Sequence, residues 1–513
     1  MTDQRLTSDS PSAGFPVAFS ATVVDVAAPP EDGPVLLRRA AARLASAASP
    51  PDTPVLTDGE LTLWLEPGLR AAMFLATEMP PGASGIPLLR LHLRLSGRSD
   101  SSAASLTRWA EIWHRQPLSG FEMERLAGEL PLMNATVDRL RHDKPLAGHA
   151  LLVTGHFLTD LVHLVACLGA LGAPLEAMTV LRKDYAYQWR HRVYGHLEEW
   201  GVTIADATDF AAVREHGLRA QRADLRCLAL DDGGYVAPNL LDLTRARVPA
   251  GAWAGVVEQT MSGIYKLQGR ASELPFPVFS VAQSRLKGRI ESYWIADKAV
   301  TTALSLLPAP KIEGQPALVI GYGNVGAQIA EILTRRRMRV AVHDADILRL
   351  IDAHEKGYVT ALDLAELLAD HGPLLVFGVT GRTSMSVREF SALRRPVHLA
   401  SVSSRDIEFD LPALDALCSP QEDPRPAETQ SPARTYRMPG GVDVTVLAGG
   451  RPVNFFETDS ISNLHSDLVY AGMLTGACAV ATEAAPPGLD AAWADAILEK
   501  SGLLQDYYLR YGP

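Results

Sequence analysis

Gly321-Tyr322-Gly323-Asn324-Val325-Gly326 decides the reading of this 513-residue chain. The stretch follows an apolar run, Pro316–Ile320, and opens a helical pattern at Gln328–Arg336. A second apolar run, Met338–Val342, then ends in His343-Asp344. Strand, glycine turn, helix and strand in that order are the context in which G-x-G-x-x-G binds a dinucleotide. Gly321 makes the tight turn, and Gly323 lets the backbone approach a pyrophosphate. Gly326 lets the helix pack close to the strand, with its first N–H groups aimed at the phosphates. Asp344 falls about twenty residues on, where a carboxylate bonds a ribose 2′-hydroxyl and favours NAD over NADP. The expected cofactor is NAD.

Composition narrows the rest. Apolar residues make up 47% and charged residues 21%, the balance of a globular rather than a disordered chain. Lys and Arg number 48 against 59 Asp and Glu, a net charge of −11, which argues against nucleic acid or anionic lipid as partners. Runs such as Arg335-Arg336-Arg337 read as solvated helix ends. Cys167, Cys227, Cys418 and Cys478 are scattered and form neither a disulfide framework nor a Cys-x-x-Cys metal pair. Met1–Pro16 has no apolar leader core, and Leu161–Leu175 is too short to span a bilayer. A cytoplasmic protein is the default expectation.

Along the chain, Val17–Val26, Glu60–Glu66 and Leu88–Leu95 alternate with period two, separated by Pro29–Asp32 and Pro80-Pro81-Gly82. Residues 1–105 are therefore expected to form a small β-rich N-terminal module, to which no chemistry is assigned. Beyond it, short apolar strands at Leu151–Thr154, Met178–Leu181 and Cys227–Leu230 alternate with helical patterns such as Phe157–Leu171. The fold class is α/β, with two Rossmann-like, doubly wound parallel-sheet domains. A substrate-type domain is expected over 106–289, completed by 450–485, and a dinucleotide domain over 290–449. Its further strands are expected at Leu374–Val379 and Val397–Val402, followed by a Pro- and acid-rich loop at Ser419–Ala433. Residues 486–513 are expected to be an oligomerisation tail.

The motifs from Leu126 onward resemble, in order and spacing, those of the S-adenosylhomocysteine hydrolase family. Lys144-Pro145-Leu146-Ala147-Gly148 is similar to the family's lead-in to its first substrate-domain strand, and Asp231-Asp232-Gly233-Gly234 is identical to its Asp-Asp-Gly-Gly. Glu258-Gln259-Thr260-Met261-Ser262-Gly263 resembles Glu-Glu-Thr-Thr-Thr-Gly, and Gly321–Gly326 resembles Gly-Tyr-Gly-Asp-Val-Gly. Gly357-Tyr358-Val359-Thr360, Asp406-Ile407-Glu408-Phe409-Asp410 and Gly450-Arg451-Pro452-Val453-Asn454 continue the series. That family uses held NAD to oxidise a substrate 3′-hydroxyl. The ketone acidifies the neighbouring C–H, a thiol leaves, water adds and the ketone is reduced.

The resemblance implies roles residue by residue. Asp232 falls at the family's proton-shuttling aspartate, His156 at its catalytic histidine and Asp160 at a substrate-contacting glutamate. Cofactor contacts are implied at Gly321, Gly323, Asn324, Val325, Gly326, Asp344, Thr260, Thr380 and Gly381. Tyr508, in the tail Asp506–Tyr511, is implied to reach a neighbouring subunit's NAD. The departures are as specific. Gln259 stands for a glutamate, Gln283 falls where the essential lysine is expected, and Ser404 replaces a histidine. Leu181–Tyr185 is a rewritten adenine-contacting region. A neutral amide cannot serve as a general base, so Gln259 and Gln283 are assigned to substrate binding. Lys287 is the candidate to fill the vacated lysine role, and with it a genuine hydrolase stays open as a third reading. Metal is not assigned: His156, Asp160 and His163 share one face only if their helix begins before His156.

The expected function is an NAD-dependent, S-adenosylhomocysteine-hydrolase-like enzyme that reversibly oxidises a secondary hydroxyl on a nucleoside- or sugar-like substrate, rather than an ordinary hydrolase. The alternative is a catalytically silent NAD-binding relative acting as an oligomeric binding or regulatory protein. The expected partners are a small-molecule substrate and further copies of the chain in a dimer or tetramer, with no nucleic acid or membrane.

Overall fold

The computed structural model describes residues 18–48, 52–57, 60–78, 88–97, 103–183, 187, 189–308, 311–403, 407–418, 433–456, 463–483 and 485–512. The chain divides into two compact units. Met1–Leu126 with His191–Glu199 form the first, and Ala127–Arg190 with Trp200–Pro513 form the second.

In the first unit, β1 (Ala18–Ala27), β2 (Val55–Thr57), β3 (Glu60–Glu66), β4 (Leu69–Glu78) and β5 (Leu88–Gly97) form one antiparallel sheet, ordered β1-β5-β4-β3-β2. The period-two reading of β3 and β5 holds. Leu61, Leu63 and Leu65 of β3 are buried with Leu89, Leu91, Leu93 and Leu95 of β5, while Arg90, His92 and Arg94 alternate outward. Two helices, Gly33–Ala47 and Ala103–His114, cover the apolar face through Leu37, Leu44, Trp109 and Trp113. The β-rich module is present as expected; sequence periodicity missed β2, β4 and the helix Gly33–Ala47. Alanine explains much of the miss: Gly33–Ala47 is alanine-rich, which favours helix but blurs the apolar stripe.

The buried anchor of this unit is ionic. Arg192 Nη1 and Nη2 reach the two oxygens of Glu122 at 2.7 and 2.6 Å, with the side chains 6% and 13% exposed. Glu122 also accepts from Ala27 N and Ser119 N, and Arg192 donates to the carbonyls of Gln116 and Pro117. Two charges so well bonded tolerate burial, but either alone does not.

The second unit holds two parallel sheets. In chain order the first takes β6 (His149–Gly155), β7 (Thr179–Arg182), β8 (Thr203–Asp206), β9 (Arg226–Asp231), β10 (Trp253–Glu258) and β11 (Pro277–Ser280). The second takes β12 (Pro316–Ile320), β13 (Arg339–His343), β14 (Val359–Thr360), β15 (Leu375–Gly378), β16 (Val397–Ser401), β17 (Arg434–Arg437) and β18 (Asp443–Val446). A short β19 (Gly488–Leu489) returns to pair with β11. The orders are β8-β7-β6-β9-β10-β11-β19 and β14-β13-β12-β15-β16-β18-β17, and only β17 runs antiparallel to its neighbour. Both are doubly wound, as expected. Strand β6 is buried at every residue and so reads as a continuous apolar run, the mark of a strand covered on both faces.

Each sheet reverses its winding once, between β6 and β9 and between β12 and β15. At such a point the two flanking connections leave in opposite directions and open a crevice beyond the strands' carboxyl ends. The helix after β6 starts at Thr159, two residues later than expected, so His156 lies before it. His163 instead bonds Asn134 Oδ1 through Nε2 at 2.8 Å, and burial lowers its pKa to about 4. The condition for a shared helical face with His156 therefore fails. Among the described residues, no helix is long and apolar enough to cross a membrane.

Arg192→Ala is expected to destabilise the first unit by about 3–5 kcal/mol, the cost of stranding one buried charge. Arg192→Lys is expected to recover only part, because an ammonium cannot bond both Glu122 oxygens in a fork. Denaturant unfolding of the three proteins would measure both.

Candidate functional site

Four neighbouring strands of the first parallel sheet deliver their next residues to one place. His156 follows β6, Lys183 follows β7, Asp232 follows β9 and Gln259 follows β10. Asp232 Oδ1 lies 2.7 Å from Lys183 Nζ, and Oδ2 lies 3.3 Å from His156 Nε2. Lys183 Nζ is also 3.2 Å from His156 Nε2, and His156 Nδ1 is hydrogen-bonded to the Tyr187 hydroxyl. The Lys183 and Asp232 residues are 3% and 4% exposed. On its own, burial would raise the Asp232 carboxyl; Lys183 and His156 outweigh it and hold the group below its ordinary value. Burial, reinforced by the Lys183 charge, lowers His156 to about 3, so the imidazole is neutral near pH 7.

Behind Asp232 sit two further carboxyls. Asp231 and Glu258 pair across β9 and β10, and both are fully buried. Asp231 accepts from Tyr235 N and Val236 N at 3.1 and 2.7 Å, which fixes the turn that carries Asp232. Glu258 Oε1 accepts from Thr260 N, Thr260 Oγ1 and Gly233 N. Burial and the neighbouring Asp231 push Glu258 well above the usual carboxylate range. The Oε1 of Gln259 and the Oε2 of Glu258 are buried without a hydrogen-bond partner.

The other candidate residues divide. Lys287, read from sequence as a polar-loop lysine, sits in a π-helical turn, Lys287–Glu291, and pairs with Glu291 Oε2 at 3.0 Å. Its charge acts on both His156 and Asp232. Gln283 is exposed in the turn after β11, its backbone N–H bonded to Ser280 Oγ. The structure therefore brings Lys287, not Gln283, to the cluster. Asp160 is buried in the first turn of the Thr159–Ala170 helix. Asp184, Tyr185 and Ser404 lie outside the described residues. Lys183 and Tyr187 were not singled out from sequence. A lysine and a tyrosine replacing adenine-contacting residues were the available signal.

The dinucleotide turn has the geometry its glycines predict. Gly321 has φ +102°, and a Cβ there would lie 2.8 Å from the Val379 carbonyl. A Cβ on Gly326 would collide with the Gly321 carbonyl. Asn324 opens the Asn324–Arg335 helix, Gly323 precedes it and Val325 packs against the core. Asp344 Oδ2 accepts from Tyr322 N at 2.6 Å, so the carboxylate stands against the glycine turn. Thr380 Oγ1 and Gly381 N, just beyond β15, are both held by the buried Glu408 at 2.9 and 2.6 Å. Backbone donors, a cradle that only glycine leaves open and a carboxylate at the next strand's end fit an NAD pyrophosphate and ribose. Thr260 caps the Met261–Leu267 helix, and Tyr508 is 62% exposed on the last helix, Leu503–Tyr511.

The two halves of the unit meet at this site. Phe455, beyond β18, stacks on His156 with ring centroids 4.3 Å apart. A Cβ on Gly288, next to Lys287, would lie 3.2 Å from Asn324 Nδ2 in the glycine turn. Residues 302–459 match the family model for the NAD-binding domain of S-adenosyl-L-homocysteine hydrolase. Outside that segment the chain is distantly similar to adenosylhomocysteinases.

Adenosylhomocysteinase from Thermotoga maritima is 24% identical over 347 residues, covering 67% of this chain and 82% of that one. The enzyme of the same name from Gloeobacter violaceus is 26% identical, over 65% and 76%. An uncharacterized Mycobacterium tuberculosis protein is 29% identical over 69% of this chain and 68% of its own. Among solved structures, the A chain of dipicolinate synthase from Bacillus subtilis is similar at 14% identity, covering 65% and 98%, with a TM-score of 0.36. So loose a likeness leaves the fold assignment to the strand order itself. Residues 302–459 thus form an NAD-binding domain of that type, in the same unit as the cluster of His156, Lys183, Tyr187 and Asp232.

Gly326→Ala is expected to weaken NAD binding at least tenfold, because the added methyl pushes the helix away from the turn. Asp344→Ala is expected to narrow the preference for NAD over NADP. Titration calorimetry with each dinucleotide would check both.

Proposed function

We propose that this protein is an NAD-dependent enzyme that reversibly oxidises a secondary hydroxyl on a nucleoside- or sugar-like substrate, and that it is not an ordinary S-adenosylhomocysteine hydrolase. The observation that carries the reading is the His156–Asp232–Lys183 cluster at the switch point, capped by Phe455 from the NAD-binding segment. Bound NAD supplies the electron acceptor for alcohol oxidation. The protein's own groups bind and manage the proton. The unpartnered Gln259 Oε1 offers an acceptor to a substrate hydroxyl, which suits a polyol-like ligand. His156, neutral near pH 7, can take the hydroxyl proton. Asp232 keeps Lys183 neutralised and the imidazole in place. Phe455 covers the ring and helps exclude water.

The alternative, a silent NAD-binding relative, draws support from Gln259, which removes a titrating group from the site. We also propose that the substrate is small, the working assembly is a homo-oligomer, and the Tyr508 tail contributes across its interface.

The decisive experiment uses the NAD-loaded full chain with adenosine, inosine, uridine and methyl β-D-ribofuranoside, followed at 340 nm. Reduction of NAD by at least one of them is expected. Asp232→Asn is expected to slow it by more than 100-fold with NAD still bound, a loss of about 3 kcal/mol of transition-state stabilisation. No absorbance change with any compound would favour the silent relative. Homocysteine release from S-adenosylhomocysteine would instead favour a hydrolase supported by Lys287.

A further inference from the structure

Asp232 Oδ1 is already paired with the buried Lys183 ammonium at 2.7 Å, and Oδ2 faces the buried His156 ring, 3.3 Å from Nε2. We propose that Lys183 confines this site to oxidation and reduction of the hydroxyl, so that the ketone is released without removal of the neighbouring carbon-bound proton. The inference deepens the oxidoreductase reading above and rests on it.

The step that would follow oxidation, loss of a proton from the carbon beside the ketone, needs a strong, available base. Carbon acids are weak, and general-base efficiency falls as the base's pKa falls. Asp232 is a poor candidate on two counts. To accept the proton it must give up its 2.7 Å pair with Lys183, leaving an ammonium on a residue only 3% exposed without compensation. Its affinity for a proton is also held below the ordinary carboxylate range.

The neighbouring groups do not replace it. Asp231 spends both oxygens on Tyr235 N and Val236 N. Burial and the neighbouring Asp231 push Glu258 above the usual carboxylate range, toward its protonated form. Gln259 is an amide and has no proton-accepting role. Glu291 is paired with Lys287 at 3.0 Å.

Loss of a hydroxyl proton makes a smaller demand. A secondary alcohol would give its O–H proton to the His156 imidazole, and from there the proton leaves to water. NAD, when bound, would take the carbinol hydrogen with its bonding electron pair. The products are one ketone, one NADH and one proton, and no carbon–heteroatom bond is broken. Lys183 acts here as a specificity-determining residue, by fixing what Asp232 can do.

The experiment repeats the four-compound assay in D2O with the NAD-loaded full chain. It follows NADH at 340 nm and the proton beside the oxidised carbon (C4′–H) by NMR, through forward and back reaction. The expected result is reduction of NAD with exchange at C4′ at least tenfold slower. Exchange as fast as reduction would overturn the inference and leave the oxidoreductase reading standing. No reduction with any compound would overturn both. Lys183→Met, shown folded by circular dichroism and NAD binding, is expected to raise the ratio of exchange to reduction at least tenfold. A folded Lys183→Met with an unchanged ratio would remove Lys183 from the account. The wild-type ratio decides the question even if that variant does not fold. A residue that only supported packing would alter rates without shifting this partition.

Discussion

The single reversal of winding in each parallel sheet is the constraint on which the site depends. At β6 and β9, and again at β12 and β15, adjacent strands send their connections to opposite faces, which opens a crevice beyond the strand ends. Everything chemical in the molecule is hung on those strand ends. His156, Lys183, Asp232 and Gln259 each stand directly after a strand of one sheet. Gly321, Asp344 and the Thr380-Gly381 pair do the same in the other. Fully buried parallel strands hold these residues on rigid stems, so their mutual distances are set by the sheet rather than by loop conformation.

Within that frame, the substrate cluster is organised by charge matching. Lys183 pairs with Asp232 and Lys287 with Glu291, and both pairs are largely buried. The charge that would break the balance is suppressed by protonation: Glu258, crowded by burial and Asp231, is pushed toward its neutral form. Two nearby carboxyls are thus pushed in opposite directions, because Asp232 has a lysine within 3 Å and Glu258 has backbone and hydroxyl donors on one oxygen only.

Much of this was readable along the chain. The turn Gly321–Gly326, the apolar runs that became β6, β7, β9, β12, β13, β15 and β16, and the acidic end at Asp344 are local patterns. Their physical cause is local as well: a strand covered on both faces must be apolar throughout, and a tight turn against a pyrophosphate requires glycine. Asp232 and His156 were found because the motifs around them survive intact. The sequence was least legible where alanine replaced larger apolar residues, as in Gly33–Ala47, and where spacing had changed. Counting along the shortened segment after β11 put Gln283 in the lysine position, but the backbone turns Gln283 outward and brings Lys287 inward one helical turn later.

Sequence alone was therefore enough to establish two doubly wound sheets and an NAD-binding turn, because each depends on residues close together in the chain. The partners of Asp232 were another matter. Lys183 is 49 residues before it and His156 is 76, on strands that become neighbours only when the sheet forms in the order β7-β6-β9. Whether a carboxylate in that position is a free base or half of a buried ion pair is fixed by distances of about 3 Å across strands. No pattern along one strand records such a distance, so the ionisation of Asp232, and with it the chemistry open to the site, was settled by the fold.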